Sequence, residues 1–236
     1  MPIRPDAVLV HLAGEELHAL PSGALWWPAR RMLVVSDMHL GKSERIARKG
    51  GAFLPPYETR DTLHRLDAEM DLMRPEIVLS LGDAFDDDDA ARNLDGDEIM
   101  ALARMMAPRR WVWVTGNHDP APLPYGGEQA EEVVAGPITF RHIAEPGASA
   151  EISGHYHPKA GIGVRGGRIT RPCFLADQKR IVMPAFGTYT GGLAATAQPL
   201  QQLMSRRAVA VLTGERAVAL PMPRAARDAA GARGAG

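Results

Sequence analysis

Residues able to bind a metal or move a proton gather at the ends of apolar runs in this chain. Asp37 and His39 close "RMLVVSDMH", and Asp83 and Asp86 stand in "GDAFD" after "EIVLSL". Asn117, His118 and Asp119 follow "WVWVTG", where a tight turn would need only Gly and Asn. Further on come His142 in "TFRHIA" and the pair His155 and His157 in "GHYH", so five of the eight histidines fall into these clusters. In extended backbone, residues i and i+2 point to one side, which would let Asp37 and His39 reach a common centre. Carboxylate oxygen, amide oxygen and imidazole nitrogen without sulfur suit Mn, Fe, Zn or similar divalent ions. Two such ions about 3.5–4 Å apart can share a carboxylate, clamp a phosphate oxygen and activate water.

The elements that must position these residues follow from the periodicity. The three apolar runs are short, β-rich and apolar on both faces, as strands in a covered sheet should be. Between the first two lies "YETRDTLHRLDAEMDLM", with Leu63, Leu66, Met70 and Met73 at helical spacing. Between the second and third, "DGDEIMALARMMA" predicts a helix with Asp95 as its cap. Strand, helix, strand, helix, strand implies a parallel sheet, in which the active crevice lies outside the carboxyl ends of the strands. All three polar clusters sit at those ends. After about Glu131 the chain changes to short strands separated by Gly and Pro turns, which predicts a second sheet packed on the first. The expected fold is α/β, two packed mixed sheets flanked by helices, in one domain over residues 1–220. From Pro221 the Ala, Gly and Arg tail (221–236) is expected to be disordered.

Composition excludes several classes of function. With 236 residues, 45% hydrophobic and 23% charged, the chain has the balance of a soluble globular protein. A formal net charge of -1 provides no global basic field, so a nucleic-acid partner must be held by a local patch or a metal. No apolar run is long enough for a membrane span, and "MPIRPDAVLVHLAGEE" lacks the pattern of a secretory leader, so a cytoplasmic location is expected. One cysteine, Cys173, rules out an intrachain disulfide and thiolate zinc sites, and reads as a small apolar strand residue.

"DMH", "GDAFD", "GNHD", a lone His and "GHYH", in that order, resemble the calcineurin-like metallophosphoesterase superfamily. That resemblance implies a four-layer sandwich and two metals. One metal would take Asp37, His39, Asp83 and His157; the other would take Asp83, Asn117, His142 and His155, with Asp83 bridging. His118 would protonate the leaving oxygen and Asp119 would orient it. "LGKSERIARKGGAFLP", "GNHDP", "GHYHPKA", "RPCFLAD" and "PAFGTYTGG" further resemble the ligase-associated DNA damage response endonucleases (PdeM). This narrower resemblance implies a manganese-dependent phosphodiesterase, with Fe or Zn as other metals. Its substrate would be single-stranded or structured DNA, and it would work near a DNA ligase and a helicase. Many of these relatives are expected to carry His where Asp86 stands, whereas the wider superfamily has Asp; Asp86 is read as an outer support. A phosphomonoesterase, a cyclic-nucleotide phosphodiesterase or a non-catalytic scaffold could use the same motifs, but Asp87 stands where protein phosphatases place Arg.

Other features have plainer readings. Lys42, Arg45, Arg48 and Lys49 form either a solvated helix face or a phosphate-contacting strip beside the cleft. Asp86 to Asp89 read as a solvated loop leading to a helix, His11, His18 and His64 as ordinary histidines, and Trp111 and Trp113 as core. Tyr156 would point away from its flanking histidines if that segment were extended.

Overall fold

The computed structural model describes residues 4–50, 57–119 and 124–225. Three antiparallel strands, β1 (Val8–Leu12), β2 (Glu15–Ala19) and β3 (Leu25–Trp27), lead into β4 (Met32–Ser36). Parallel to β4 run β5 (Ile77–Leu81), β6 (Arg110–Val114) and β7 (Glu128–Ala130), completing a seven-stranded sheet in sequence order. The crossover from β4 to β5 carries α1 (Lys42–Arg48) and α2 (Glu58–Met73), and that from β5 to β6 carries α3 (Asp88–Arg92) and α4 (Gly96–Met106).

The second sheet is built from β8 (Glu132–Ala135), β9 (Ile138–Arg141), β10 (Glu151–Ser153), β11 (Lys159–Val164), β12 (Gly167–Ala176) and β13 (Arg180–Val182). After α5 (Gln198–Leu203) come β14 (Val209–Leu212) and β15 (Val218–Pro221). Its order is β15-β14-β12-β13-β10-β9-β8, with β11 pairing only β12. The strands β9, β10 and β13 are parallel neighbours inside an otherwise antiparallel sheet, so both sheets are mixed, as the motif order predicts.

Strand alternation builds the layers. In β4, Leu33 and Val35 face the helices while Met32 and Val34 face the second sheet. Trp111 and Trp113 take the helix side, packing in one core with Leu63, Leu66, Met70 and Met73 of α2 and with Leu102 and Met105 of α4. Val34, Leu79, Leu81, Val112 and Val114 meet Phe140, Ile152, Phe174 and Ile181 between the sheets. Each such side chain contributes on the order of 1.5–3 kcal/mol when fully buried. A third core joins Cys173, Leu175, Val182 and Ala210 to Leu200 and Met204 around α5. Burial raises the Cys173 thiol to about 12, which fits an inert apolar role. The layers are therefore helices, sheet, sheet and helix.

At the chain ends the fold adds to the expected pattern. The N-terminal strands β1, β2 and β3 extend the first sheet beyond the three apolar runs. At the start of the expected tail, Pro221 pairs with Val209 and Met222 is buried in the third core, while residues 226–236 lie outside the described residues. No helix among the described residues is long and apolar enough to cross a membrane.

Candidate metal centre

Five strand ends converge on one place. Asp37 follows β4, Asp83 follows β5, Asn117 follows β6, His142 follows β9, and His155 follows β10. Backbone bonds lock these ends together: Asp37 N donates to Gly82 O (3.2 Å), His39 N to Asp83 O (2.9 Å) and Gly154 N to His142 O (2.9 Å). The segments are not extended, which corrects the alternation argument for Asp37 and His39 and the orientation assumed for Tyr156. Asp37, His39, Asp83, His155 and His157 all have positive φ, between 44° and 70°. Left-handed backbone at a non-glycine residue costs on the order of 1–3 kcal/mol and collects where a site must hold side chains in a set direction. At Gly82 a Cβ would come within 2.2 Å of His142 Nδ1, so only glycine lets the β5 loop close against that ring.

The side chains form two clusters. Asp37, His39 and His157 make one; Asp83, His142 and His155 make the other, with donor atoms inside each cluster all within 4.8 Å of one another. The Asp83 carboxylate faces both: Oδ2 lies 3.4 Å from His142 Nε2 and 4.0 Å from His39 Nε2. Asn117 Oδ1 lies 3.0 Å from His142 Nε2, which adds it to the second cluster. All seven residues named from the motifs are thus brought together.

The donors fit divalent cations. Asp37 is 0% exposed and Asp83 is 3% exposed, yet among the described residues no Lys or Arg contacts either one. Buried carboxylates are paired with cations or coordinate metals. Asp37 instead accepts from Ser36 Oγ (2.5 Å) and His155 N (2.9 Å) and faces His157 Nε2 at 3.1 Å. Ser36 carried no signal in the sequence, since its hydroxyl acts only through Asp37. His142 Nδ1 lies 3.2 Å from the Leu81 carbonyl, so a proton on Nδ1 would be donated there and Nε2 turned into the centre. Burial opposes ionisation of Asp83, but His142, the His118 amide and His39 outweigh it and hold this carboxyl well below the usual carboxylate range. Burial likewise works against a charged His142, yet Asp83 and Asp37 draw its pKa above the ordinary value. A proton on His142 and a divalent ion compete for the same lone pair.

Around the clusters, three sequence readings change. Asp86 is not part of a solvated loop: it is 1% exposed, with Oδ1 2.9 Å from His39 Nδ1. Arg45 bonds its other oxygen and Lys42 lies 3.7 Å away. Burial would raise the Asp86 carboxyl, but His39, Lys42 and Arg45 together lower it. Asp87 caps α3 by accepting from Ala90 N (2.8 Å), and Arg48 pairs with Asp87 (2.9 Å) and Asp89 (2.6 Å). In the basic strip, Arg45 and Arg48 are paired with aspartates, while Lys49 is exposed.

Asp119 is the third. Its Oδ1 accepts from the amides of Ala84 (2.7 Å) and Phe85 (3.2 Å), and its Oδ2 from Gly116 (2.9 Å). It clamps the β5 and β6 loops to each other and makes no hydrogen bond to the His118 ring, contrary to the orienting role. The His118 ring packs edge-on against His39, with centroids 5.6 Å apart, and its amide donates to Asp83 Oδ1 (2.9 Å). His11 and His64 are exposed, and His18 is buried in β2, away from both clusters.

Asp86 sets the direction of His39, which gives a testable consequence. Asp86→Asn keeps the shape but removes the charge, and outer partners of ligating histidines typically carry about 10–100-fold in metal affinity or activity. Competition with a chelator should show that weakening; unchanged metal affinity would remove Asp86 from the account.

Residues 30–170 match the calcineurin-like phosphoesterase family. The crystal structure of the Pseudomonas putida nuclease MPE is similar to this fold with a TM-score of 0.72 and 27% sequence identity, covering 91% of this chain and 100% of that chain. No curated protein sequence matches this chain.

Proposed function

This chain belongs to the calcineurin-like phosphoesterase family, and from that membership we propose that it is a two-metal phosphodiesterase that cuts DNA. The observation that carries the proposal is the pair of buried clusters sharing Asp83. The similarity to a nuclease over 91% of the chain supports a polynucleotide substrate. Asp37, His39, Asp83 and His157 would hold one ion, and Asp83, Asn117, His142 and His155 the other. When bound, such ions polarise the phosphoryl group and make water a strong nucleophile near neutral pH.

The protein's own groups do the rest. Asp83 sets the spacing of the two clusters, and Ser36 and the His155 amide hold Asp37 in place. Asp86 keeps the Nε2 edge of His39 turned inward. The half-buried His118 is ligand to neither cluster and stands beside His39, where it can protonate the departing alkoxide of an unactivated phosphodiester. Manganese is the proposed native metal, and the resemblance to ligase-associated endonucleases supports a role in cytoplasmic DNA repair beside a ligase and a helicase.

A protein phosphatase is disfavoured because Asp87 is used as a helix cap where those enzymes need Arg. A non-catalytic scaffold is disfavoured by the complete set of donors. The deciding experiment loads stripped protein with Mn, Mg, Zn or Fe. It then assays single-stranded DNA, duplex DNA, RNA, an aryl phosphodiester and an aryl phosphomonoester. Internal cleavage of DNA with Mn is expected. Hydrolysis of the monoester alone would replace the reading with a phosphomonoesterase.

A further inference from the structure

A chain of net charge -1 must grip a polyanion somewhere, and α1 offers little because Arg45 and Arg48 are already paired. The hairpin of β11 and β12 is different. The sheet takes up only the second half of β12, from Cys173 to Ala176; the first half, Gly167 to Arg171, pairs with β11 alone and is exposed at every residue. Between Pro158 and Ala176 the sequence carries Lys159, Arg165, Arg168 and Arg171 and no Asp or Glu. Among the described residues, none of these three arginines makes an ion pair or a side-chain hydrogen bond.

The ribbon grows from the metal centre. Lys159 is two residues after His157 and is fixed there by its amide on Leu193 O (2.8 Å) and its Nζ on Thr190 O (3.0 Å). From that root, six residues of β11 extend roughly 20 Å at about 3.3 Å each. The arginines are spread along it: Arg171 lies at the level of Ala160, Arg168 at the level of Gly163, and Arg165 in the turn. Arg168 shares one face with Lys159, Gly161 and Gly163, and Arg171, opposite Ala160, lies on the other, so a DNA backbone held by both must cross the edge of the ribbon. The Arg168 guanidinium lies back toward the root, so close over Gly161 that a Cβ there would come within 2.3 Å of Nε. Glycines inside a strand leave bare backbone where another chain can approach closely.

We propose that the β11–β12 ribbon is a DNA-backbone-binding arm, in which Arg165, Arg168 and Arg171 hold phosphates flanking the one to be cut. This rests on the DNA-cleaving reading above. Guanidiniums that make no ion pair among the described residues match a phosphodiester backbone in charge and in hydrogen-bonding geometry. Three such contacts on single-stranded DNA correspond to a salt slope of about 2 logarithmic units per tenfold change in salt, or roughly a hundredfold in affinity at 0.1 M relative to 1 M.

The test uses the triple variant R165A/R168A/R171A, with the triple Arg→Lys variant as a charge-retaining control. Binding of a fluorescent single-stranded oligonucleotide is followed by anisotropy after chelation. Cleavage of the oligonucleotide and hydrolysis of an aryl phosphodiester are measured on metal-loaded protein. The alanine variant should bind roughly a hundredfold more weakly at 0.1 M salt, with a slope shallower by about 2. It should keep its aryl phosphodiesterase rate, and the lysine variant should keep most of the binding. Wild-type binding and slope in the alanine variant, or equal damage to both substrates, would overturn the arm. If wild type binds DNA through these arginines yet leaves it uncut, the arm stands and the DNA-cleaving reading fails. If wild type neither binds the oligonucleotide nor, when metal-loaded, cleaves it, both fall.

Discussion

Asp83→Ala should lower hydrolysis of DNA and of an aryl phosphodiester together, by roughly a thousandfold, because one carboxylate serves both clusters. Its Oδ2 is the atom that faces His142 on one side and His39 on the other. Losing that shared oxygen removes several kcal/mol of charge stabilisation at the reacting phosphate, and about 4 kcal/mol is close to three orders of magnitude. Metal content should fall with activity. Folding must be kept separate, since Asp83 has φ 44° and alanine is strained there. Asn accepts left-handed backbone more readily, so Asp83→Asn supplies a second variant that removes the charge at less conformational cost. Thermal melting monitors the fold of both. Near-normal turnover with two metals in either folded variant would contradict the bridging role.

His118→Ala should behave differently. The ring belongs to neither cluster, so metal content should be preserved while DNA cleavage falls about 10²–10⁴-fold, the usual range for a general acid. On a nitrophenyl phosphodiester the loss should be much smaller, because nitrophenolate leaves without a proton. Comparison of the two substrates on the same metal-loaded variant checks this. An equal loss on both would assign His118 to phosphate binding instead of proton transfer. Loss of metal would make the ring an indirect support for the ligand His39, against which it packs.

Much of this architecture could be read from residue order alone. The strands β4, β5 and β6 are apolar on both faces because helices cover one side and the second sheet the other. That double burial is visible in "MLVVS", "IVLSL" and "WVWV". Leu63, Leu66, Met70 and Met73 marked α2 for the same reason, all being buried on one side. The strands β1 and β2 escaped notice because "VLVHL" and "EELHA" mix His and Glu into short hairpin strands, with Leu9, His11 and Glu16 left exposed.

At the site, residue types and order identified the donors, but not how they are aimed. The left-handed backbone at Asp37, His39, His155 and His157 occurs where loops distant in sequence approach closely, as Gly154 does Asp37 and Gly192 does His157. Asp86 and Asp119 show the same limit. Each looked like part of a local polar motif, and each is occupied by partners that only the fold brings near: Arg45 and His39 for one, the Ala84 and Phe85 amides for the other. Long-range pairing of charges likewise occupies Arg45 and Arg48 on α1, while the arginines of the β11–β12 ribbon do not stand out in sequence because Gly dilutes them.

The most direct test of the two-ion centre is a titration of metal-free protein with Mn while single-stranded DNA cleavage is followed. The geometry of two clusters sharing Asp83 predicts no cleavage without metal and a rate that levels off at two equivalents per chain. A plateau at one equivalent, or cleavage by the metal-free protein, would contradict it.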